Sequence, residues 1–174
     1  VRWTARGEIT IGAIEGSDLE PVEPRIDSLL SALDEAGLNP KWSEEISKVI
    51  WTKLLLNVAI NPLCAISGIL NGEMLLHPEL FEAGLAAMEE AARVATAEGV
   101  DMSDIDLAQS LEDLCRATAD NRVSMLQDIM AGRKTEIDAI CGEVIRRGES
   151  FGIPTPRNQT LQALVKGIEQ STRS

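Results

Sequence analysis

The chain has 174 residues, 44% of them hydrophobic, enough for one compact domain with a real core; 16 basic against 28 acidic residues leave a net charge of −12. That balance argues against nucleic acid and anionic membrane as partners, since both reward a basic surface, and any small anionic ligand needs a local cluster of cations. Three cysteines (Cys64, Cys115 and Cys141), far apart and never in a CxxC pair, with His77 the sole histidine, argue against a structural zinc site and read as small buried hydrophobes in a reducing cytoplasm.

In chain order, "GEITIGAIEG" alternates and is bounded by glycines, as a strand would be, while everything after about residue 22 reads as helix. A lone strand has no sheet to join, so residues 1–21 are expected to be the tail of a sheet-containing domain belonging to a longer chain. Ile26, Leu29, Leu30 and Leu33 form the first helical stripe, stopped by Gly37. Ser43 is the expected N-cap of the next helix, whose stripe begins Ile46, Val49, Ile50 and Leu54. Leu54 to Leu70 is the most apolar stretch, but Asn57, Asn61 and Pro62 break it and it falls short of the roughly 20 residues of a membrane span. Nothing resembles a signal peptide, and the chain is expected to be soluble.

Phe81, Leu85, Met88, Ala92 and Ala95 repeat at helical steps up to Gly99. Ser103 is the expected cap of a helix burying Leu107, Leu111, Leu114 and Cys115. Ile137, Ile140, Cys141, Val144 and Ile145 make the next stripe, stopped by Gly148, and Leu161, Leu164, Val165 and Ile168 make the last. The expected fold is all-α and bundle-like over residues 22–174.

Within the second helix the segment "KLLLNVAIN" is out of place. At about 100° per residue Lys53 falls on nearly the bearing of Ile46, with Asn57 and Asn61 within roughly 80° of it, so a stripe that starts apolar turns polar. Burying an ammonium and two amides without partners costs on the order of 1–3 kcal/mol each, more for the charge. The bland alternative is a buried Lys–carboxylate pair with the amides bonded to loop carbonyls; Asn61-Pro62 favours a cleft instead, because an internal proline frees a carbonyl and bends the axis. Elsewhere Asn71 sits beside Gly72 in a turn, Asn121 and Ser124 precede a helical turn, and Glu136 opens a helix after Arg133 and Lys134. Taken singly, Ser124 reads as an N-cap, Glu136 as a first-turn acid, and Thr135 with Asp138 as a capping box.

Together, "WTKLLLNVAINPLCAI", "NGEM" and "NRVSMLQDIMAGRKTEIDAICGEVIRRGESFGIPTPRNQTLQALV" resemble the carboxy-terminal domain of the ketopantoate reductases (2-dehydropantoate 2-reductases) over most of residues 22–170. The resemblance implies a 6-phosphogluconate-dehydrogenase-like reductase with an amino-terminal Rossmann domain, and an NADP-dependent reduction of 2-ketopantoate to pantoate in pantothenate and coenzyme A synthesis, in the cytoplasm. It implies Lys53 as catalytic, Asn57, Asn61, Asn71, Ser124 and Asn121 as substrate-binding, and Glu136 near the nicotinamide end of the cofactor. Residues 1–21 then become the tail end and linker of the dinucleotide-binding domain, and burial together with Glu136 is expected to set the charge of Lys53. No G-x-G-x-x-G follows a strand in these residues, so the fragment alone is expected to be inactive, with NADP held mainly outside it. The alternatives are a reductase of another small 2-keto acid and a non-catalytic helical dimerisation or binding module. The support for a module, and for a homodimer, is the Leu/Met/Ala-rich helix 78–98, which also reads as a plain core helix.

Overall fold

The computed structural model describes residues 9–14 and 23–171; the outer residues of the GEITIGAIEG stretch, 7, 8, 15 and 16, and most of segment 1–21 lie outside the described residues. The chain forms two compact units, Val1–Ile50 and Trp51–Ser174.

In the first unit, β1 (Ile9–Ile11) pairs in parallel with β2 (Pro40–Trp42), Ile9 opposite Pro40 and Ile11 opposite Trp42. The crossover that parallel pairing requires is α1 (Glu23–Glu35), ended by the left-handed Gly37 (φ 73°) and followed by Asn39 in the same region (φ 51°). The expectation of a strand without a sheet is therefore corrected. Its partner is three residues of Pro, Lys and Trp, too short to carry an alternating pattern, so the segment after residue 22 is not helix throughout. The α1 stripe is corrected in part: Leu29 is exposed, whereas Ile26, Leu30 and Leu33 are half-buried.

The helix α2 (Ile46–Ser67) passes unbroken through Pro62, and Ser43 Oγ accepts from the Glu45 N–H ahead of it at 3.2 Å. It is the one described helix long and apolar enough to cross a membrane, contrary to the broken stretch expected, but half of its apolar window is buried inside the chain, as befits a core helix. Val49 and Ile50 are exposed, against expectation. The buried stripe runs instead through Trp51, Leu55, Val58 and Ala59, on a bearing roughly opposite Lys53 and Asn57. From Ile60 onward the helix is enclosed more widely, with Leu63, Cys64 and Ala65 all buried.

The second unit continues with a 3₁₀ segment (Asn71–Leu76), α3 (Pro78–Ala97), α4 (Leu107–Ala117), α5 (Ser124–Met130), α6 (Ile137–Phe151) and α7 (Pro156–Ser171). The helices α6, α7 and α3 pack on one another, and α3 also meets α4. One continuous core includes Leu55, Met74, Met88, Leu111, Met125, Ile137, Val144 and Val165. The helix α3 is a core helix, with Ala87, Met88, Ala91, Val94 and Ala95 fully buried. The cysteines are free and buried as expected; burial is the main cause raising their thiols, to about 12 for Cys64 and Cys141 and about 11 for Cys115. At those values they are poor nucleophiles.

Four local expectations are corrected. The α4 cap is Asp106, whose side chain accepts from the Gln109 N–H at 2.9 Å, and not Ser103. The helix α6 runs through Gly148 and ends at the left-handed Gly152 (φ 67°). Gly148 is small because a Cβ there would stand 2.9 Å from the Ile153 carbonyl oxygen and from Thr155. Thr135 and Asp138 do not form a reciprocal box, since Thr135 Oγ1 accepts from Ile137 while Asp138 pairs with Lys166 and Gln162. Leu164 is exposed.

A partly buried network ties α3 to α6. Arg147 donates to both oxygens of Glu98 at 2.8 and 2.6 Å and to Glu143 at 2.7 Å, and its guanidinium lies 5.6 Å from the Trp51 ring, whose Nε1 donates to Glu98 at 3.2 Å. The Arg146 hydrogen bond, opposed by partial burial and supported by Arg147, lowers the Glu143 carboxyl from the usual 4.5 to about 2. A depressed carboxylate adds stability above its ordinary value, and that stability is lost as pH falls through the folded value. Glu143→Gln is therefore expected to be less stable than wild type at neutral pH, the gap closing between about pH 4.5 and 2. Denaturant titrations across that range read it directly.

Candidate functional site

On α2, Lys53 is exposed and Asn57 and Asn61 are half-buried, one helical turn apart each. On that same bearing the next residue but two, Cys64, is fully buried, so this face runs from solvent into the core. Among the described residues, none of the three side chains has a hydrogen-bond or ion-pair partner. The expected burial of Lys53 and its pairing with Glu136 are both corrected: the lysine is exposed and no ion pair joins the two. The bland alternative of a Lys–carboxylate pair and amides spent on loop carbonyls fails for the same reason. A protein that leaves a cation and two amides unspent along one face has groups free for a ligand.

That lack of partners has a consequence for stability. Asn57→Ala and Asn61→Ala remove no hydrogen bond to another described residue and replace a poorer helix former by the best one. Their stabilities are expected to equal wild type or exceed it by about a few tenths of a kcal/mol, as measured by calorimetry.

The second group gathers where the 3₁₀ segment meets the turn after α4. The Asn71 N–H donates to the Asn121 carbonyl and the Gly72 N–H to the Ala119 carbonyl, both at 3.0 Å. Gly72 is required there, since a Cβ would fall 2.7 Å from the Ala119 Cβ and 2.9 Å from its Cα. These bonds bring Asn71 and Asn121 together, and Ser124 follows three residues later as the exposed first residue of α5. Val123, not Ser124, occupies the cap position. The Asn71 side chain is buried; its Nδ2 donates to Thr118 Oγ1 at 2.9 Å, while its Oδ1 is buried with no partner.

Glu136 is the cap residue of α6, exposed, with no side-chain bond to the helix. Its neighbours are spent otherwise: Arg133 pairs with Asp128 and Lys134 with Asp138. No cluster of three or more metal-ligating side chains exists among the described residues.

Residues 45–169 match the family described as ketopantoate reductase PanE/ApbA, C terminal. The chain belongs to this family. It is 34% identical to the 2-dehydropantoate 2-reductase of Archaeoglobus fulgidus over 169 residues, 97% of this chain and 55% of the relative. A crystal structure of a PanE/ApbA family ketopantoate reductase from Ralstonia eutropha JMP134 is similar at 31% identity and TM-score 0.85, over 99% of this chain and 55% of that one. The ternary structure of D-mandelate dehydrogenase with NADH and anilino(oxo)acetate is similar at 26% identity and TM-score 0.88, over all of this chain and 71% of that one. The chain thus spans about half the length of the curated reductase.

Sequence reading missed what much of the ketopantoate reductase signature does in the fold. The buried Glu90 of α3 accepts from the Arg157 and Asn158 N–H groups and from Asn158 Nδ2, at 3.0–3.1 Å, so "TPRN" is a helix start held by a carboxylate 67 residues before Arg157 and 68 before Asn158. The buried Glu169 accepts from the Thr135 N–H at 2.6 Å. No local spacing signals either contact.

Proposed function

We propose that the chain supplies the catalytic lysine and the substrate-binding groups of an NADP-dependent reductase that converts 2-ketopantoate to pantoate. The single observation carrying this reading is the unpartnered Lys53–Asn57–Asn61 face, in a family whose relatives are named for that reaction. Reducing a ketone needs charge stabilised on oxygen and a proton delivered to it; the Lys53 ammonium does both, as electrostatic stabiliser and general acid. Asn57 and Asn61, with the Ser124 hydroxyl and Asn121, fix the polar atoms of the acid so that the keto group faces the lysine. NADPH, when bound, supplies the hydride. The unpartnered Glu136 carboxylate fits the hydrogen-bond donors of a nicotinamide nucleoside, and the absence of a glycine-rich phosphate cradle leaves the rest of the cofactor to a dinucleotide-binding domain, of which residues 1–21 are the proposed tail end.

A second reading within the same chemistry is a reductase of another small 2-keto acid, favoured by the likeness to mandelate dehydrogenase. Work as a cytoplasmic homodimer is proposed for the whole enzyme and is read by sedimentation. The test of function is NADPH oxidation by the full-length gene product over a panel of small 2-keto acids. Turnover with ketopantoate well above the others is expected, and none from residues 1–174 alone. Turnover with a different keto acid keeps the mechanism and changes the substrate; turnover with none overturns the reading in favour of a binding module.

A further inference from the structure

We infer that Glu169 is a positioning residue for the reaction: from the end of α7 it fixes the main chain beside Glu136 and so sets where the Glu136 carboxylate meets the nicotinamide end of the cofactor. The inference rests on the keto-acid reductase reading above and deepens it by giving the last helix a part in the site.

Gln162, Lys166 and Glu169 follow one another along α7 at steps of four and three, so they share one face of it. All three reach the segment that carries Glu136. Gln162 Nε2 donates to Asp138 Oδ1 at 2.8 Å, Lys166 pairs with the same oxygen at 2.6 Å, and Glu169 Oε1 accepts from the Thr135 N–H at 2.6 Å. The chain is therefore gripped from α7 on either side of Glu136. Within the segment, Thr135 Oγ1 accepts from the Ile137 N–H at 3.2 Å, and the Glu136 carbonyl accepts from the Ala139 and Ile140 N–H groups at 2.9 and 3.0 Å. Thr135 and Ile137 are buried, and Glu136 between them is exposed. Its main chain is fixed while its carboxylate stays free of partners among the described residues.

Stability alone accounts poorly for a carboxylate at this place. Glu169 is buried, and desolvation offsets most of what a buried charge gains from its bonds; what such a group supplies is one geometry for its partner. A short, charge-assisted bond to the Thr135 N–H holds that geometry at the residue next to the working carboxylate. A misplacement of about 1 Å at a reacting centre costs on the order of 10² in rate, so loosening Thr135 is felt at Glu136.

The experiment is a double-substitution cycle on the full-length gene product, read as kcat/KM for NADPH with ketopantoate present. Glu169→Met, which keeps the side-chain length and removes the acceptor, is expected to lower it roughly tenfold or more. Glu169→Gln still offers an oxygen to the Thr135 N–H and is expected to retain most of the activity. In a Glu136→Ala background Glu169→Met is expected to cost no more than about twofold, because the group it positions is gone. Equal losses in both backgrounds, or wild-type activity in Glu169→Met, overturn the inference and leave the keto-acid reading intact. A Glu136→Ala variant as active as wild type overturns the place given to Glu136 and the inference with it, and turnover of no keto acid removes both. Should Glu169→Met fail to fold, Glu169→Asp, which keeps the charge and withdraws the oxygen by one methylene, takes its place in the cycle. A second measurement needs neither variant nor turnover: the Thr135 amide of the full-length product should exchange slowly with solvent, and fast exchange there overturns the inference.

Discussion

Glu90→Ala should destabilise the fold by about 3–5 kcal/mol. Glu90 is 3% exposed and sits where α7 begins. Pro156 opens that helix without an N–H of its own, and the next two N–H groups, of Arg157 and Asn158, have no partner within α7. One carboxylate receives both of them and the Asn158 amide as well. Its charge lies at the positive end of the helix dipole, which favours it further. Removing it leaves three donors without Glu90, only one of which has another acceptor, since Asn158 Nδ2 also donates to the Ala87 carbonyl at 3.1 Å. Each newly unpaired buried donor costs on the order of 1–3 kcal/mol, to which the lost packing adds. In a chain of this size the midpoint of thermal unfolding should fall by roughly 10 °C. Denaturant unfolding of Glu90→Ala beside wild type measures it, and a loss under about 1 kcal/mol would show that the α7 start is satisfied some other way.

The same residues show how far the sequence was legible. Helix existence was, because apolar residues at steps of three and four mark α3, α4 and α6, and glycines at 37 and 99 end α1 and α3 with positive φ. Strand β2 was not, because three residues carry no period. The bearing of α2 was misread in part: Ile46 is buried as expected, but Val49 and Ile50 are exposed and the core lies on the side of Trp51, Leu55 and Val58. Apolar residues spread around most of the circumference of α2 blur the directional signal, and only the tertiary packing decides which side is covered. The face of Lys53, Asn57 and Asn61 was legible as a set, since one helix spaces it. The link from Asn71 to Thr118 was not, because the two are 47 residues apart and only the fold joins them. Nor was the division of the "TEID … TPRN" signature between site and scaffold, where Thr135 and Asn158 serve buried carboxylates and Glu136 stays unpartnered.

Lys53→Ala carries the largest effect on activity. The side chain is exposed and touches no partner among the described residues, so its removal should change stability by no more than about 0.5 kcal/mol. An ammonium that meets the developing negative charge on a reduced carbonyl acts mainly in the transition state, and losing it should lower kcat by about 10²–10³ or more. Those two expectations together separate a chemical role from a structural one. The deciding measurement is steady-state NADPH oxidation with ketopantoate by the full-length gene product, wild type against Lys53→Ala, with thermal midpoints taken on the same preparations. A collapse of kcat at an unchanged midpoint is the predicted result; activity kept within a few fold of wild type would contradict the assignment of Lys53 and, with it, the reading of the α2 face.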